Sequence, residues 1–340
     1  MDTAIGIISF LSSSLSSFWR FPTPSKVNNM ANISICAMSF CKSDFLRKQA
    51  ETVFKDHNLT FHDQDQLAQS HTLTSLLQTA DAAIVGREVI DKDLLEQCPN
   101  LKLLSLYGVG HENINLEDLK TFGVTLHMQQ GVNSLYAAEL TIGLTISLLR
   151  NIAKTNSLLK ENIWLKDGGT SLEGKKIAIV GAGHVGSKVA TFYSLLGAKI
   201  LLCDVLDKSE LCKEIDARQV SFDEATASAE LLSMHVPLTN LTRNMIKEHH
   251  LQHKQLRYFV NTSRFEVIEE PLLINSLKTG ILKGAALDVW QNEPHINPML
   301  SQLDNIIGTP HIGGNSLESV KAMGLAAIAG ITNYIDKHKF

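Results

Sequence analysis

From Ile33 onward, short apolar runs alternate with longer stretches in which apolar residues return every third or fourth position. A short continuous apolar run reads as a buried strand, and the longer period reads as a helix laid against it. In the first half this pattern predicts strands over 33–38, 59–62, 82–85, 101–106 and 124–127, with a helix over 44–56. The stretch 136–150 carries Leu140, Leu144 and Leu148 on one face and predicts a helix long enough to cross between two domains. The second half predicts strands over 176–180, 199–203, 231–235, 258–261, 284–289 and 305–307, and a last helix over 317–335. Near-continuous apolar strands separated by helices imply parallel sheets covered on both faces, so the expected fold class is α/β.

The 340 residues suffice for about two domains of ordinary size. With 44% apolar and 19% charged residues the chain has the composition of a folded globular protein. Its charge of −4 offers no basic surplus for nucleic acid or an anionic membrane. No apolar run approaches the ~20 residues a membrane helix needs. Cys36, Cys41, Cys98, Cys203 and Cys212 are odd in number and lack C-x-x-C spacing. That argues for reduced thiols, a cytosolic location and no structural zinc. The histidines form no metal-ligand pair, and His249 and His250 are expected on a solvated helix end; no metal is expected. Residues 1–29 include a Ser-rich apolar stretch but carry Asp2 where a signal peptide has basic residues. They are expected to be a disordered tail or an over-extended start.

The strongest local motif is Gly181-Ala-Gly183-His184-Val185-Gly186, placed between a predicted strand and a predicted helix. Gly181 and Gly183 permit a tight turn and close backbone approach to a pyrophosphate, and Gly186 permits helix–strand packing. Amides at the helix start then face the phosphates. Asp204 ends the next strand, where a carboxylate accepts hydrogen bonds from ribose hydroxyls and repels a 2′-phosphate. The expected cofactor is therefore NAD rather than NADP.

The chain resembles the D-2-hydroxyacid dehydrogenase family over nearly all of 33–334, and five segments carry the resemblance. They are Tyr107-Gly-Val109-Gly110-His-Glu112-Asn113-Ile; Gly131-Val-Asn133 through Glu139-Leu-Thr; the glycine loop; His235-Val236-Pro237-Leu-Thr239 with Thr242; and the run from Asn261 through Asp288 and Glu293 to Pro310-His311-Ile-Gly313-Gly314. The resemblance implies that His311 is the catalytic acid–base and Glu293 the carboxylate orienting its ring. It implies that Arg264 grips the carboxylate and carbonyl of the substrate, with amides near Val109 and Gly110 holding the carboxylate. It further implies Asp288 on the nicotinamide carboxamide, with Gly181, Gly183, His184, Val185, Gly186, Asp204, Val236, Pro237, Thr242, Thr262, Ser263, Gly313 and Gly314 lining the cofactor. The bare chemistry agrees, because oxidising a secondary alcohol needs a proton acceptor and a hydride acceptor.

The implied architecture is two doubly wound, Rossmann-like domains. A flavodoxin-like substrate domain, 30–132 plus 310–340, receives an inserted NAD-binding domain, 133–309, and the cleft between them holds both ligands. A homodimer and a small-molecule 2-hydroxyacid or 2-oxoacid partner are expected from the resemblance alone. Within the family the chain looks most like a phosphoglycerate dehydrogenase without a regulatory domain. A glyoxylate/hydroxypyruvate reductase, a D-lactate-type enzyme and a non-catalytic NAD-sensing protein stay open. Two departures stand out. Phe265-Glu266 replaces the usual glycines after Arg264, with the ring expected to pack against the next helix rather than into the pocket. Glu112 replaces an aspartate, a one-methylene change expected to matter little.

Overall fold

The computed structural model describes residues 30–62 and 72–338, so the segment 1–29 with its expected tail or over-extended start lies outside the described residues. The chain divides into two compact units. The first comprises 1–107, 113–128 and 324–340, and the second 108–112 and 129–323.

The first unit holds one parallel sheet of strands β1 (Asn32–Ile35), β2 (Asn58–Phe61), β3 (Ala82–Val85), β4 (Leu103–Leu106) and β5 (Thr125–His127). Their order is β2-β1-β3-β4-β5. The central strands β3 and β4 are buried along their whole length, whereas edge strand β2 alternates between exposed and half-buried. Continuous apolar sequence therefore marks the middle of the sheet and alternation its rim. Side-chain caps set the helix starts: Ser43, Asp91 and Asn115 each accept from backbone amides of the turn they begin. Gly123, at φ 67°, closes the helix Leu116–Phe122. The strand expected over 33–38 stops at Ile35, and Met38–Cys41 is a one-turn helix with Phe40 and Cys41 buried. The Cys41 thiol donates to the carbonyl of Ile35, which folds the chain back at the strand end.

The second unit holds a seven-stranded parallel sheet of β6 (Lys176–Val180), β7 (Lys199–Cys203), β8 (Arg218–Gln219), β9 (Leu231–Met234), β10 (Tyr258–Asn261), β11 (Gly284–Leu287) and β12 (Ile306–Gly308). The order is β12-β11-β10-β9-β6-β7-β8, and it reverses direction between β6 and β9. In a doubly wound sheet that reversal opens a crevice at the carboxyl ends of the strands. Both units thus have the doubly wound, Rossmann-like α/β architecture. The two-residue edge strand β8 has no apolar run to announce it and goes unpredicted.

The helix expected to cross between domains, observed as Ser134–Leu149, lies wholly in the second unit. Ala138, Leu144 and Leu148 pack into that unit's core beside Ile177, Val189 and Tyr193. Residues 310–323 also belong to the second unit, tied there by hydrogen bonds from Ile312 and Gly313 to Asp288. His250 departs from expectation. Its ring is buried, accepts from the Lys247 amide at 2.9 Å and lies 3.2 Å from Asp223 Oδ1, while His249 stays exposed. A solvated pair would forgo both bonds.

Candidate active site

Every candidate group of the second unit sits at or just beyond the carboxyl end of a strand, or in the 108–112 loop. After β6 comes the glycine loop. Gly181 adopts φ 90°, and a Cβ there would meet the His235 carbonyl at 2.6 Å, so only glycine fits. A side chain at Gly186 would strike the Gly181 carbonyl, so the helix His184–Leu195 can start only because Gly186 lacks one. Gly183, by contrast, has open space around its missing Cβ. That space lies at the helix start, where the amides of His184 and Val185 and the dipole favour an anion. The arrangement fits a dinucleotide pyrophosphate.

After β7, Asp204 Oδ2 accepts from the Ala182 amide at 2.6 Å and Oδ1 from the Leu206 amide at 2.8 Å. The carboxylate therefore both shapes the glycine loop and keeps a lone pair on each oxygen for ribose hydroxyls. Lys208 Nζ stands 3.9 Å from Oδ2, a neighbour that sequence spacing alone did not single out.

After β9, the half-buried His235 lies beneath the glycine loop, its Nδ1 shut off from solvent and its Nε2 on Ser233 Oγ at 2.8 Å. Burial pushes its pKa down to about 3, so the ring is neutral at any physiological pH. Val236 and Pro237 lead into a turn that Thr242 closes by donating to the Pro237 carbonyl at 2.6 Å. After β10, Asn261 organises the loop: Oδ1 accepts from the Ser263 amide and hydroxyl, and Nδ2 donates to the Arg264 carbonyl. Thr262 Oγ1 lies 2.8 Å from Thr141 Oγ1 on the helix Ser134–Leu149. Phe265 begins a single 3-10 turn and is 1% exposed in the unit's core, so its ring points away from Arg264's guanidinium and into apolar packing. It keeps φ out of the left-handed region, and the loop holds without glycine.

Arg264 carries three hydrogen bonds. Nε donates to Glu112 Oε1 at 2.9 Å, Nη2 to Glu112 Oε2 at 3.1 Å, and Nη1 to the Ser263 carbonyl at 2.8 Å. Gly110, next to Val109, lies so close to Arg264 Nη2 that a Cβ there would push the guanidinium aside. Burial alone would raise the Glu112 carboxyl, but the hydrogen bonds and charge of Arg264 outweigh it and hold it below the usual range. The substitution expected to matter little therefore makes a two-point contact with the arginine.

After β11, Asp288 is 1% exposed and engaged through both oxygens: Oδ1 accepts from Thr309 Oγ1 at 2.6 Å and the Ile312 amide at 2.8 Å, Oδ2 from the Gly313 amide at 2.8 Å. These bonds bracket His311, which follows β12 and adopts φ 55°. Its Nδ1 lies 2.7 Å from Glu293 Oε2, while Glu293 Oε1 accepts from the Trp290 amide at 3.0 Å. A carboxylate on Nδ1 fixes that nitrogen as the protonated one and leaves Nε2 to exchange a proton. Gly314 abuts the Asn133 side chain. Thr309 and Trp290, whose indole donates to the Thr309 carbonyl at 2.9 Å, complete the loop, and no sequence motif drew attention to either.

This chemistry, an imidazole backed by a carboxylate, a forked cation and a dinucleotide crevice on one sheet edge, is that of a nicotinamide-linked alcohol dehydrogenase. A family model described as D-isomer specific 2-hydroxyacid dehydrogenase, NAD binding domain, matches residues 142–313, and the chain belongs to that family of NAD-binding oxidoreductases. The glyoxylate reductase of Thermococcus litoralis is 34% identical over 244 residues, 69% of this chain and 74% of that protein. The D-3-phosphoglycerate dehydrogenase of Methanocaldococcus jannaschii is 32% identical over 257 residues, 74% of this chain but 49% of its own length. The D-lactate dehydrogenase of Aquifex aeolicus, solved with NAD and lactic acid, shares the fold at TM-score 0.78 with 23% identity, covering 90% of this chain and 96% of that one.

Proposed function

We propose that this protein interconverts a D-2-hydroxyacid and its 2-oxoacid, with His311 as acid–base, Glu293 as its orienting carboxylate and Arg264 as the substrate clamp. The observation that carries the reading is the 2.7 Å contact between His311 Nδ1 and Glu293 Oε2, which leaves Nε2 as the proton-exchanging atom. In oxidation Nε2 takes the hydroxyl proton, and Glu293 stabilises the imidazolium that results. In reduction the imidazolium returns that proton to the carbonyl oxygen. The nicotinamide, when bound, supplies or accepts the hydride. Residues 181–186, Asp204, Val236, Pro237, Thr242, Thr262 and Ser263 would hold the dinucleotide. Asp288, with one lone pair left on Oδ2, would reach the carboxamide while ordering the His311 loop. Amides near Val109 and Gly110 would take the substrate carboxylate.

Two substrate classes compete. A phosphoglycerate dehydrogenase reading draws on the segments around Ser39–Lys42, Asn133–Thr141 and Trp164–Leu172. A glyoxylate or hydroxypyruvate reductase reading draws on the Thermococcus relative, most of whose length this chain spans. A purified-protein screen of NADH oxidation at 340 nm against 3-phosphohydroxypyruvate, hydroxypyruvate, glyoxylate and pyruvate tests the reaction and ranks the acids. NADH binding without turnover on any of them would overturn the enzymatic reading in favour of an NAD sensor.

The same reading includes a homodimer. The helix Ile152–Lys160 buries none of its side chains, and Leu159, Ile163, Leu165 and the 80%-exposed Trp164 form an apolar strip suited to a second copy. All five cysteines are free, and no helix among the described residues is long and apolar enough to cross a membrane. The free thiols support a reducing, cytosolic setting.

A further inference from the structure

At the adenosine end of the cofactor crevice stands a cation with no part in the hydride chemistry. The Lys208 ammonium lies 3.9 Å from Asp204 Oδ2, and the two side chains are 19% and 10% exposed. The loop between them is stapled to the sheet by one residue of edge strand β8. Gln219 donates from Nε2 to the carbonyls of Asp204 and Leu206, at 3.2 and 2.8 Å, and its Oε1 accepts from the Lys208 amide at 2.8 Å. The backbone of Lys208 is thereby held where its stem reaches the carboxylate. Asp207, the loop's other acid, is taken up by the amide and hydroxyl of Ser209. Asp204 itself is fixed by the Ala182 and Leu206 amides.

A carboxylate at this position does two separate things. It accepts hydrogen bonds from ribose hydroxyls, and it repels a 2′-phosphate. The first needs a lone pair, which each oxygen of Asp204 keeps; the second needs an unopposed charge, which Lys208 opposes. A ribose oxygen bonded to either carboxylate oxygen carries its phosphate within about 10 Å of the ammonium, no more than a Debye length at ordinary salt. The lysine stem is flexible as well, so its head can leave the singly charged carboxylate for the more highly charged phosphate. We propose that Lys208 is a specificity-determining residue for the dinucleotide: it offsets Asp204 toward a 2′-phosphate, so that the crevice takes NADPH as well as NADH. Asp204 keeps NADH ahead, and Lys208 keeps NADPH within reach. The idea rests on the dinucleotide reading of the crevice and widens the cofactors it admits.

The test is fluorescence titration of NADH and NADPH, which differ only in the 2′-phosphate, with no oxoacid present. Wild type should bind NADPH with a Kd no more than about tenfold above that of NADH. Lys208→Gln removes the charge and keeps a polar side chain. It is expected to weaken NADPH by about tenfold or more while NADH stays within about threefold, and added salt should narrow the gap between the variant and wild type. Lys208→Arg restores a cation and should return the ratio of the two Kd values to within about threefold of wild type. Unchanged NADH affinity doubles as the check that the Gln variant is folded. A merely structural lysine would lose both cofactors together. That result overturns the proposal, as does an unchanged ratio in the Gln variant, a failed rescue by Arg, or a wider gap in wild type. Wild type that binds neither cofactor sinks the dinucleotide reading itself, whereas NADH binding with an indifferent Gln variant sinks only the role of Lys208.

Discussion

Asp288→Asn tests whether a buried carboxylate, rather than the strand end alone, orders the loop that carries His311. In wild type the two oxygens accept three hydrogen bonds, from Thr309 Oγ1, Ile312 N and Gly313 N. The amide can keep its oxygen on the Thr309–Ile312 side, but its NH2 then faces the Gly313 N–H, donor against donor. Loss of that charge-assisted bond with a buried donor left unpaired costs about 2–3 kcal/mol. Replacing an ionised acceptor by a neutral one weakens the other two bonds by about 0.5–1 kcal/mol each. The sum is about 3–5 kcal/mol, and for a unit of roughly 200 residues that lowers Tm by about 6–20 °C. His311 sits at φ 55°, a conformation its neighbours must hold, so the loosened loop should also misplace Nε2 and lower kcat by about tenfold or more. Thr309→Val removes a single bond and should cost about 1–2 kcal/mol, a graded control. Calorimetry and steady-state NADH oxidation on the same preparations read both effects. A Tm within 2 °C of wild type together with kcat within twofold would refute the reasoning.

Four further outcomes are expected. His311→Ala should lower turnover by about 10²–10⁴-fold while leaving NADH affinity, read by fluorescence titration, within about twofold; retention of half the activity would assign the proton to another group. Asp204→Asn removes the charge facing a 2′-phosphate and leaves Lys208 unopposed, so the NADPH-to-NADH efficiency ratio should rise by about tenfold or more, and an unchanged ratio would contradict the role of that carboxylate. Phe265→Ala empties a core site and should cost about 3–5 kcal/mol in chemical denaturation, without selective gain for longer acids; such a gain would mean the ring borders the substrate. Leu159→Glu combined with Trp164→Glu should yield a folded monomer, read by light scattering and an unchanged far-UV circular dichroism spectrum, because neither side chain is buried within the chain; a persisting dimer would place the interface elsewhere.

The strand pattern was legible because buried parallel strands must be apolar throughout, and 82–85, 176–180, 199–203 and 258–261 coincide with the observed elements. The glycine loop was legible too, since Gly181 and Gly186 sit where any side chain would meet backbone, a constraint that leaves its mark in one dimension. Strand β8 left no such mark: two residues at a sheet edge need no apolar run. The helix Ser134–Leu149 shows the limit of periodicity, which identifies an apolar face but not the sheet that receives it. The candidate site divides along the same line. Residue types and order single out Arg264, Glu293, His311 and Asp204, because the chemistry demands those functional groups. Which atoms they touch is a property of distant segments brought together. Only the tertiary structure puts Glu112, 152 residues away in sequence, on the Arg264 fork, and turns Asp288 toward Thr309, Ile312 and Gly313. Phe265 stands between the two: the residues after it lead to the expectation that its ring packs against the next helix, and the structure supplies the core, with Leu273 and Leu277, that receives it.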